Sequence, residues 1–425
     1  MKIRKERVRS GLSTRSVTLK LIGGEGKFCA ERFAFRQNED GLVSIYSATK
    51  AVPSASITNP GFVKAVPVFG YTLMITKLGQ IFKWSTTEFP TLKAVSVLTN
   101  IRPFIIPLSY AEQSLFALYS GNKLGILTEN QYSYLTIPHK LCCGAFHCGR
   151  VFAKDYNDPY VVRWSGRDFK DWSSEIDRGG YVRLSPEGGQ VLDIVVLGEK
   201  IVLVREHGLT VFRAYGDARH VRVEKLDHDE LPRVFERSAI VCAGKLWFCS
   251  VEGIYSYDGN TVTLVKDDFD DVGGKVYEYA TASVLDDRYV YFSCTKDGNK
   301  LIMEYDTKSN VLTPFASGCS LVYAEGRQPF CFMGNSVSKL NFGGVDEQRI
   351  WISKKIDLDT ASVKTLKSIK AVGEGDIEIT VDCDGRKRST GLGCTRIAER
   401  GTGFTFTVKG SGNLKELSAE WEVNA

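Results

Sequence analysis

The sequence predicts an all-β fold, and three observations carry that prediction. Short runs alternate with period two, as in Lys245-Leu246-Trp247-Phe248-Cys249-Ser250 and Ile254-Tyr255-Ser256-Tyr257. That period puts one face of a strand inward. Turn residues separate the runs, and Asp258-Gly259-Asn260 between Tyr257 and Thr261 is a strong hairpin signal, because the turn needs positive φ at its centre. Sustained helical periodicity is nearly missing; residues 276–283 come nearest, and the stretch is short.

Composition sets the class. The 425 residues are 43% hydrophobic and 25% charged, ordinary for a globular chain long enough to hold two domains. The 18 Tyr, 23 Phe and 40 Gly favour strands and turns. The net charge of +5 is mild, and the 55 basic residues are interleaved with 50 acidic ones, which argues against a general nucleic-acid binder. No apolar run reaches the roughly 18–20 residues of a membrane helix. The N-terminus has no apolar core of a secretory signal, so neither feature is expected. Eleven cysteines lie mostly inside apolar strand patterns, among them Cys242, Cys249, Cys294, Cys331 and Cys383. They read as reduced, buried small hydrophobes of a product made in a cytoplasm.

In chain order, residues 1–27 read as a basic arm. Lys2, Arg4, Lys5, Arg7, Arg9 and Arg15 stand against Glu6, and Gly23-Gly24-Glu25-Gly26 follows. Such an arm is either flexible and solvated or docked on a neighbouring subunit or another acidic surface. Lys2, Arg4, Lys5, Arg7 and Arg9 are the interaction candidates of the second reading. From Phe28 short strands dominate: 33–35 and 42–46 around Asn38-Glu39-Asp40-Gly41, then 68–76 and 79–84, then 114–119 and 124–128 around Gly121-Asn122. The same grammar recurs at 145–164, 191–215, 239–265, 281–315 and 330–342. Units beginning roughly 30–50 residues apart, each of about four strands, predict the blades of a β-propeller over residues 28–344. A four-stranded sheet needs a neighbour on its apolar face, and radial closure supplies one to every blade. Seven blades are expected, with six to eight compatible with the spacing and a closing blade that mixes strands from both ends. The repeats lack the Gly-His and Trp-Asp pairs of WD40 blades and the double glycine of kelch. Beyond Gly343-Gly344 the texture changes. Strands at 350–358, 363–372, 377–382, 404–409 and 417–423, several with one polar face, predict a small β-sandwich over residues 345–425.

Chemistry-bearing motifs are weak. His139, Cys142, Cys143, His147 and Cys148 crowd ten residues but match no zinc spacing, so buried cysteines at a strand pair are the simpler reading. Asp267-Asp268-Phe269-Asp270-Asp271 lacks the oxygen pattern and glycine of a calcium loop and reads as a solvated acidic loop. Residues 164–172, Trp164-Ser165-Gly166-Arg167-Asp168-Phe169-Lys170-Asp171-Trp172, read as a turn with aromatic anchors. There is no Gly-x-Ser-x-Gly elbow, and Gly23-Gly24-Glu25-Gly26 is followed by neither Lys-Ser/Thr nor a helix. Glycosidases need two carboxylates facing one cleft, which sequence alone does not place. No enzyme activity, catalytic residue, metal or cofactor is expected.

One family fits both order and content. The run Tyr160-Val161-Val162-Arg163-Trp164-Ser165, then Asp171-Trp172, then residues 188–194, resembles tailed-phage β-propeller tail proteins, the tail-nozzle and head-completion family. So do Lys200 to Arg213 with His207-Gly208-Leu209, and Glu252-Gly253-Ile254-Tyr255-Ser256-Tyr257-Asp258-Gly259. Ile356-Asp357-Leu358, Lys364-Thr365-Leu366 and Arg400-Gly401-Thr402-Gly403-Phe404 are similar to the terminal β-domains of such proteins. The resemblance covers residues 145–425. It implies a structural component of a phage or prophage-derived virion tail or neck, forming a homo-oligomeric ring, commonly hexameric, around the channel through which DNA leaves. The implied partners are the portal, its adaptor and other tail proteins, with DNA passing without specific binding. The implied location is the virion tail, after synthesis in the host cytoplasm. A near-balanced charge suits a conduit, because strong phosphate neutralisation would brake ejection. A closed ring needs head-to-tail interfaces. The alternatives are a propeller that binds or cleaves host-receptor carbohydrate, and a cellular propeller scaffold.

Overall fold

The computed structural model describes residues 2–3, 7–9, 12–22, 28–38, 41–50, 62–76, 81–84, 101–110, 113–129, 131–173, 175, 178–214, 222–225, 231–267, 278–296, 299–315, 319–325, 328–333, 336–342 and 349–424. Strands make up almost all of the regular structure. The exception among the described residues is one 3-10 turn, Pro186–Gly188, capped by the Ser185 hydroxyl. The segment nearest to helical periodicity falls partly outside the described residues and partly in the strand Glu278–Leu285.

Most of the chain is a succession of antiparallel meanders. Phe62–Val68, Tyr71–Thr76 and Ile81–Trp84 form a three-stranded sheet. A six-stranded sheet runs from Phe104–Tyr110 to Gly180–Arg183. Its two long strands, Gln113–Leu127 and Tyr132–His147, change register at Gly121/Lys123 and Leu141/Gly144. Each therefore bends from one meander into the next. Three four-stranded sheets follow: 191–225, 240–267 and 278–315. The last meander, Cys319–Glu325, Gln328–Met333 and Ser336–Phe342, takes its fourth strand from the other end of the chain. Gly41–Lys50 pairs antiparallel with Ser336–Phe342.

These sheets follow one another in a ring. Tyr132–His147 packs on Val191–Leu197, then Ile240–Cys242, Glu278–Leu285, Cys319–Glu325 and Phe62–Val68, and the three-stranded sheet packs on the six-stranded one through Val68, Leu73, Ile105 and Leu118. This radial order is a β-propeller. It also corrects the simple reading of the alternation. Leu246, Phe248, Tyr255 and Tyr257 pack on Leu192, Val202 and Val211 of the preceding sheet. Trp247, Cys249 and Ile254 pack on Val290, Phe292 and Tyr305 of the following one. Alternate residues thus serve two apolar faces instead of one apolar and one wet face, because a blade has a neighbour on each side. The turn between these strands is as expected. Gly259 has φ +100°, and Asp258 Oδ1 accepts from the Asn260 and Thr261 N–H groups at 2.8 Å each.

The C-terminal residues build a second unit from two facing sheets. One runs Arg386–Thr390, Ile377–Cys383, Phe404–Gly410, Ile350–Ser353, Cys29–Phe33. The other sets Gly393–Gly401 beside Lys364–Glu374, then Asn413–Asn424, then Leu12–Ile22. Between them lies one core with Trp351 and Trp421 at its centre. Lys364 is buried here and donates to three carbonyls, of Thr360, Ser362 and Thr402, at 2.5, 2.8 and 3.0 Å.

The N-terminal boundaries differ from expectation. Leu12–Ile22 is an integral strand whose Val17, Leu21 and Ile22 are buried, and Cys29–Phe33 pairs with Ile350–Ser353. Both belong to the unit formed by residues beyond 345, not to an extended arm or to the propeller. The reason is edge pairing: Asn413–Asn424 and Ile350–Ser353 each present a free edge that these N-terminal strands cover. Residues 28–38 then tie the two units together. Ala34 N–H donates to Pro314 O at 2.8 Å, and Arg36 Nε donates to Glu304 Oε1 at 2.6 Å, with the guanidinium 4.1 Å from the Tyr289 ring centre.

Candidate functional site

Where the first strands converge they leave a cavity of about 240 Å³ on the propeller axis. The walls come from several sheets: Lys64 from Phe62–Val68, and Arg102 and Phe104 at the entry to Phe104–Tyr110 together with Cys143 and Gly144 from Tyr132–His147, two strands of the six-stranded sheet. Asp193 and Ile194 come from Val191–Leu197, Arg237 and Ile240 from the approach to Ile240–Cys242, and Ala282 from Glu278–Leu285. Gly144 makes the cavity wall dense, since a Cβ there would lie 2.5 Å from Phe152 O and 2.8 Å from the Phe104 ring. Only a missing side chain lets the Phe104 ring come this close.

The walls are charged. Arg102 Nη2 donates to Asp193 Oδ2 at 2.8 Å, Nη1 donates to Leu192 O at 3.1 Å, and Glu236 Oε1 is 3.8 Å from Nη1. Burial works against the Arg102 charge, but Asp193 and Glu236 outweigh it and hold the guanidinium above its usual range. Lys64 lines the cavity as a solvent-exposed residue with many protein atoms around it, and it makes no hydrogen bond or ion pair with the described residues. Burial and the neighbouring Arg102 pull its ammonium below the usual range, and Asp193 opposes this only in part. Cys143 is hydrogen-bonded to Cys142 at the register shift of its strand. That bond, then burial, pushes the Cys143 thiol well above its ordinary value. The chemistry on offer is electrostatic: Lys64, Arg102 and Arg237 line one small chamber with Asp193.

The sequence motifs fall elsewhere. Trp164 and Trp172 are buried, and the turn between them is closed by Gly166 N–H to Asp171 O at 2.7 Å and by Ser165 Oγ accepting from Val151 N–H at 3.0 Å. Of the histidine–cysteine cluster, Cys142 and Cys143 are buried, Cys148 is exposed, and His147 Nε2 lies 3.0 Å from Glu199 O. Among the described residues no three His, Cys, Asp or Glu side chains converge as metal ligands. Asp267 ends the strand Val262–Asp267, and Asp268 to Asp271 lie outside the described residues. Of the basic N-terminal candidates, Lys2 sits opposite Thr18, Arg7 opposite Thr14 and Arg9 opposite Leu12, all along the strand Leu12–Ile22. Arg4 and Lys5 lie outside the described residues. The axial cavity was not read from the sequence. Its signal is a charge inside an apolar strand run, as at Lys64 in Phe62–Val68 and Asp193 in Val191–Leu197.

No protein-family profile matches the chain, and no curated protein sequence matches it. Among solved structures, it is similar to the β-propeller domain of Cps50 (Swd1) from Myceliophteria thermophila, with 10% identity and a TM-score of 0.44 over 70% of this chain and 99% of that one. It is also similar to BamB from Moraxella catarrhalis, with 9% identity and a TM-score of 0.40 over 70% and 97% of the two chains. The computationally designed Ika8 protein gives 9% identity and a TM-score of 0.44 over 69% and 99%.

Proposed function

We propose that this chain is a non-enzymatic structural component of a phage or prophage-derived virion tail or neck, assembling as a head-to-tail ring around a DNA path. In this reading the meanders are seven blades, the last closed by Gly41–Lys50, and the two facing C-terminal sheets are a β-sandwich. The observation that carries the proposal is where the residues of the tail-protein resemblance lie. Trp164, Trp172, Val191, Ile194, Leu203, Phe212, Ile254 and Tyr257 are all buried. A motif consumed by packing specifies a rigid body, and a rigid body acts through its surfaces.

A duplex whose major groove alone is about 12 Å wide does not fit a chamber of about 240 Å³, so the DNA path of the proposed ring lies between subunits. The carbohydrate reading asks for paired carboxylates at the axis. Among the described lining residues Asp193 is the one carboxylate, and Arg102 holds it. Negative-stain microscopy of the purified full chain, alone and with co-expressed portal and adaptor proteins, tests the proposal. Closed rings with a central channel are expected. Monomers at every concentration and with every such partner would overturn it.

A further inference from the structure

We infer that Cys142 and Cys143 form a redox-modification site, a dithiol that small oxidants of the peroxide class convert to a reversible disulfide between neighbouring residues at the wall of the axial cavity. The site lies within the propeller and stands whether or not the proposed ring forms.

Residues 142 and 143 are the one place in the sequence where two cysteines adjoin. On a regular strand neighbouring side chains point to opposite faces, which keeps such a pair apart. Here the ladder puts them on one face. Leu141 stands opposite Asp155 and Gly144 opposite Ala153, so three steps along Tyr132–His147 match two along Arg150–Asp155. The extra residue makes a bulge in which Cys142 and Cys143 together oppose Lys154. Packing records the same break. Leu141 and Cys143 would share a face on a regular strand, yet Leu141 packs with Ala153 in one core and Cys143 with Phe152 and Val162 in the next. The two thiols are hydrogen-bonded to each other, and Cys142 Sγ also lies 3.9 Å from Lys154 O.

The bulge gives the two sulfurs different roles. The bond from Cys143 holds the Cys142 thiol below its usual value against burial, and Lys154 and Arg102 add to this. The same bond, then burial, keeps Cys143 protonated. Cys142 is therefore the nucleophile and Cys143 the resolving thiol. Cys143 lines the cavity of about 240 Å³, and Lys64 on its wall is exposed, so a peroxide little larger than water enters from solvent. The Cys142 thiolate attacks one peroxide oxygen, the O–O bond breaks and hydroxide leaves, giving a sulfenic acid. The Cys143 sulfur then displaces that oxygen as water and closes the S–S bond. Two electrons pass from the sulfurs to the peroxide, and the two thiol protons end in two waters. Adjacent Cα atoms are about 3.8 Å apart, below the roughly 4.4–6.8 Å usual for a disulfide, so the bond is strained and easily reduced.

The full chain carrying Cys148→Ser, a change at an exposed cysteine, tests the site without a competing thiol in the same tryptic peptide. The folded protein is treated with hydrogen peroxide, its remaining thiols are alkylated, and the peptide of residues 141–150 is weighed with and without dithiothreitol. Loss of two hydrogen atoms, reversed by dithiothreitol, is expected, with a Tm lowered by a few degrees in the oxidised protein and restored on reduction. Adding Cys143→Ser should abolish that loss and leave Cys142 open to labelling by dimedone, a sulfenic-acid reagent; adding Cys142→Ser should abolish both. A peptide that stays reduced in the folded Cys148→Ser protein would overturn the site. So would a disulfide from either residue to any other cysteine, or dimedone labelling that persists without Cys142.

Discussion

At the scale of single residues, the chain spends its special positions on close approach and on paired charge. Gly144 is the sharpest case, because a methyl group there meets backbone at 2.5 Å and the Phe104 ring at 2.8 Å. Gly144→Ala should cost about 1–3 kcal/mol, the usual range for overpacking, read as a lower midpoint in urea with an unchanged slope. Asp306 gives a pH signature. Burial opposes its charge, but Arg288 Nε and Nη2, at 2.9 and 2.6 Å, and the Lys308 N–H hold the carboxyl below the usual range. A carboxyl lowered by folding stabilises the native state above its unfolded pKa, about 3.9, and that contribution is lost as pH falls through the folded value. Stability measured by denaturant titration should therefore drop as pH falls below about 4. Asp306→Asn should remove part of that drop and cost about 1–3 kcal/mol at neutral pH.

At the scale of elements, the hairpin at Asp258-Gly259 and the strand Leu12–Ile22 behave oppositely with respect to sequence. The hairpin is local: period-two runs flank a residue that needs positive φ, and Gly259 has φ +100°. Gly259→Val should destabilise by roughly 1–2 kcal/mol, seen as a lower Tm. The strand Leu12–Ile22 is not local. The basic residues that precede it, with its own Arg15, resemble a solvated arm, and what fixes it is the edge of Asn413–Asn424 at the far end of the chain. No periodicity within residues 1–27 announces a partner that distant. The same limit hid the axial cavity. Lys64, Arg102, Asp193 and Arg237 lie on four separate segments, each looking like one stray charge, and only the radial order of sheets gathers them. Trp247 and Tyr255 were legible as packing because aromatic alternation needs only neighbouring blades, although their two opposite directions emerge only from the tertiary structure. Removing residues 1–22 should expose the Trp421 side of the C-terminal core, giving increased binding of a hydrophobic dye and loss of the cooperative melt.

At the scale of the whole molecule, residues 28–38 decide whether the propeller and the C-terminal unit behave as one body. Glu304, with a side chain 1% exposed, depends on Arg36 for its counter-charge. Arg36→Ala leaves that carboxylate buried and should cost about 3–5 kcal/mol. Calorimetry should then resolve two transitions where the wild type shows one. The pairing of Leu12–Ile22 with Asn413–Asn424 also imposes an order in time. During synthesis the middle sheets, each made of consecutive strands, can form as they leave the ribosome. Leu12–Ile22, Cys29–Phe33 and Gly41–Lys50 cannot complete their sheets, because the partners on one side of each are Asn413–Asn424, Ile350–Ser353 and Ser336–Phe342. Those edges must wait, open and adhesive, until translation is nearly finished. Ribosome-stalled chains ending before residue 413 should therefore be cut by protease in their first fifty residues while residues 191–267 resist. A chaperone that holds the nascent N-terminus would raise the yield of native protein.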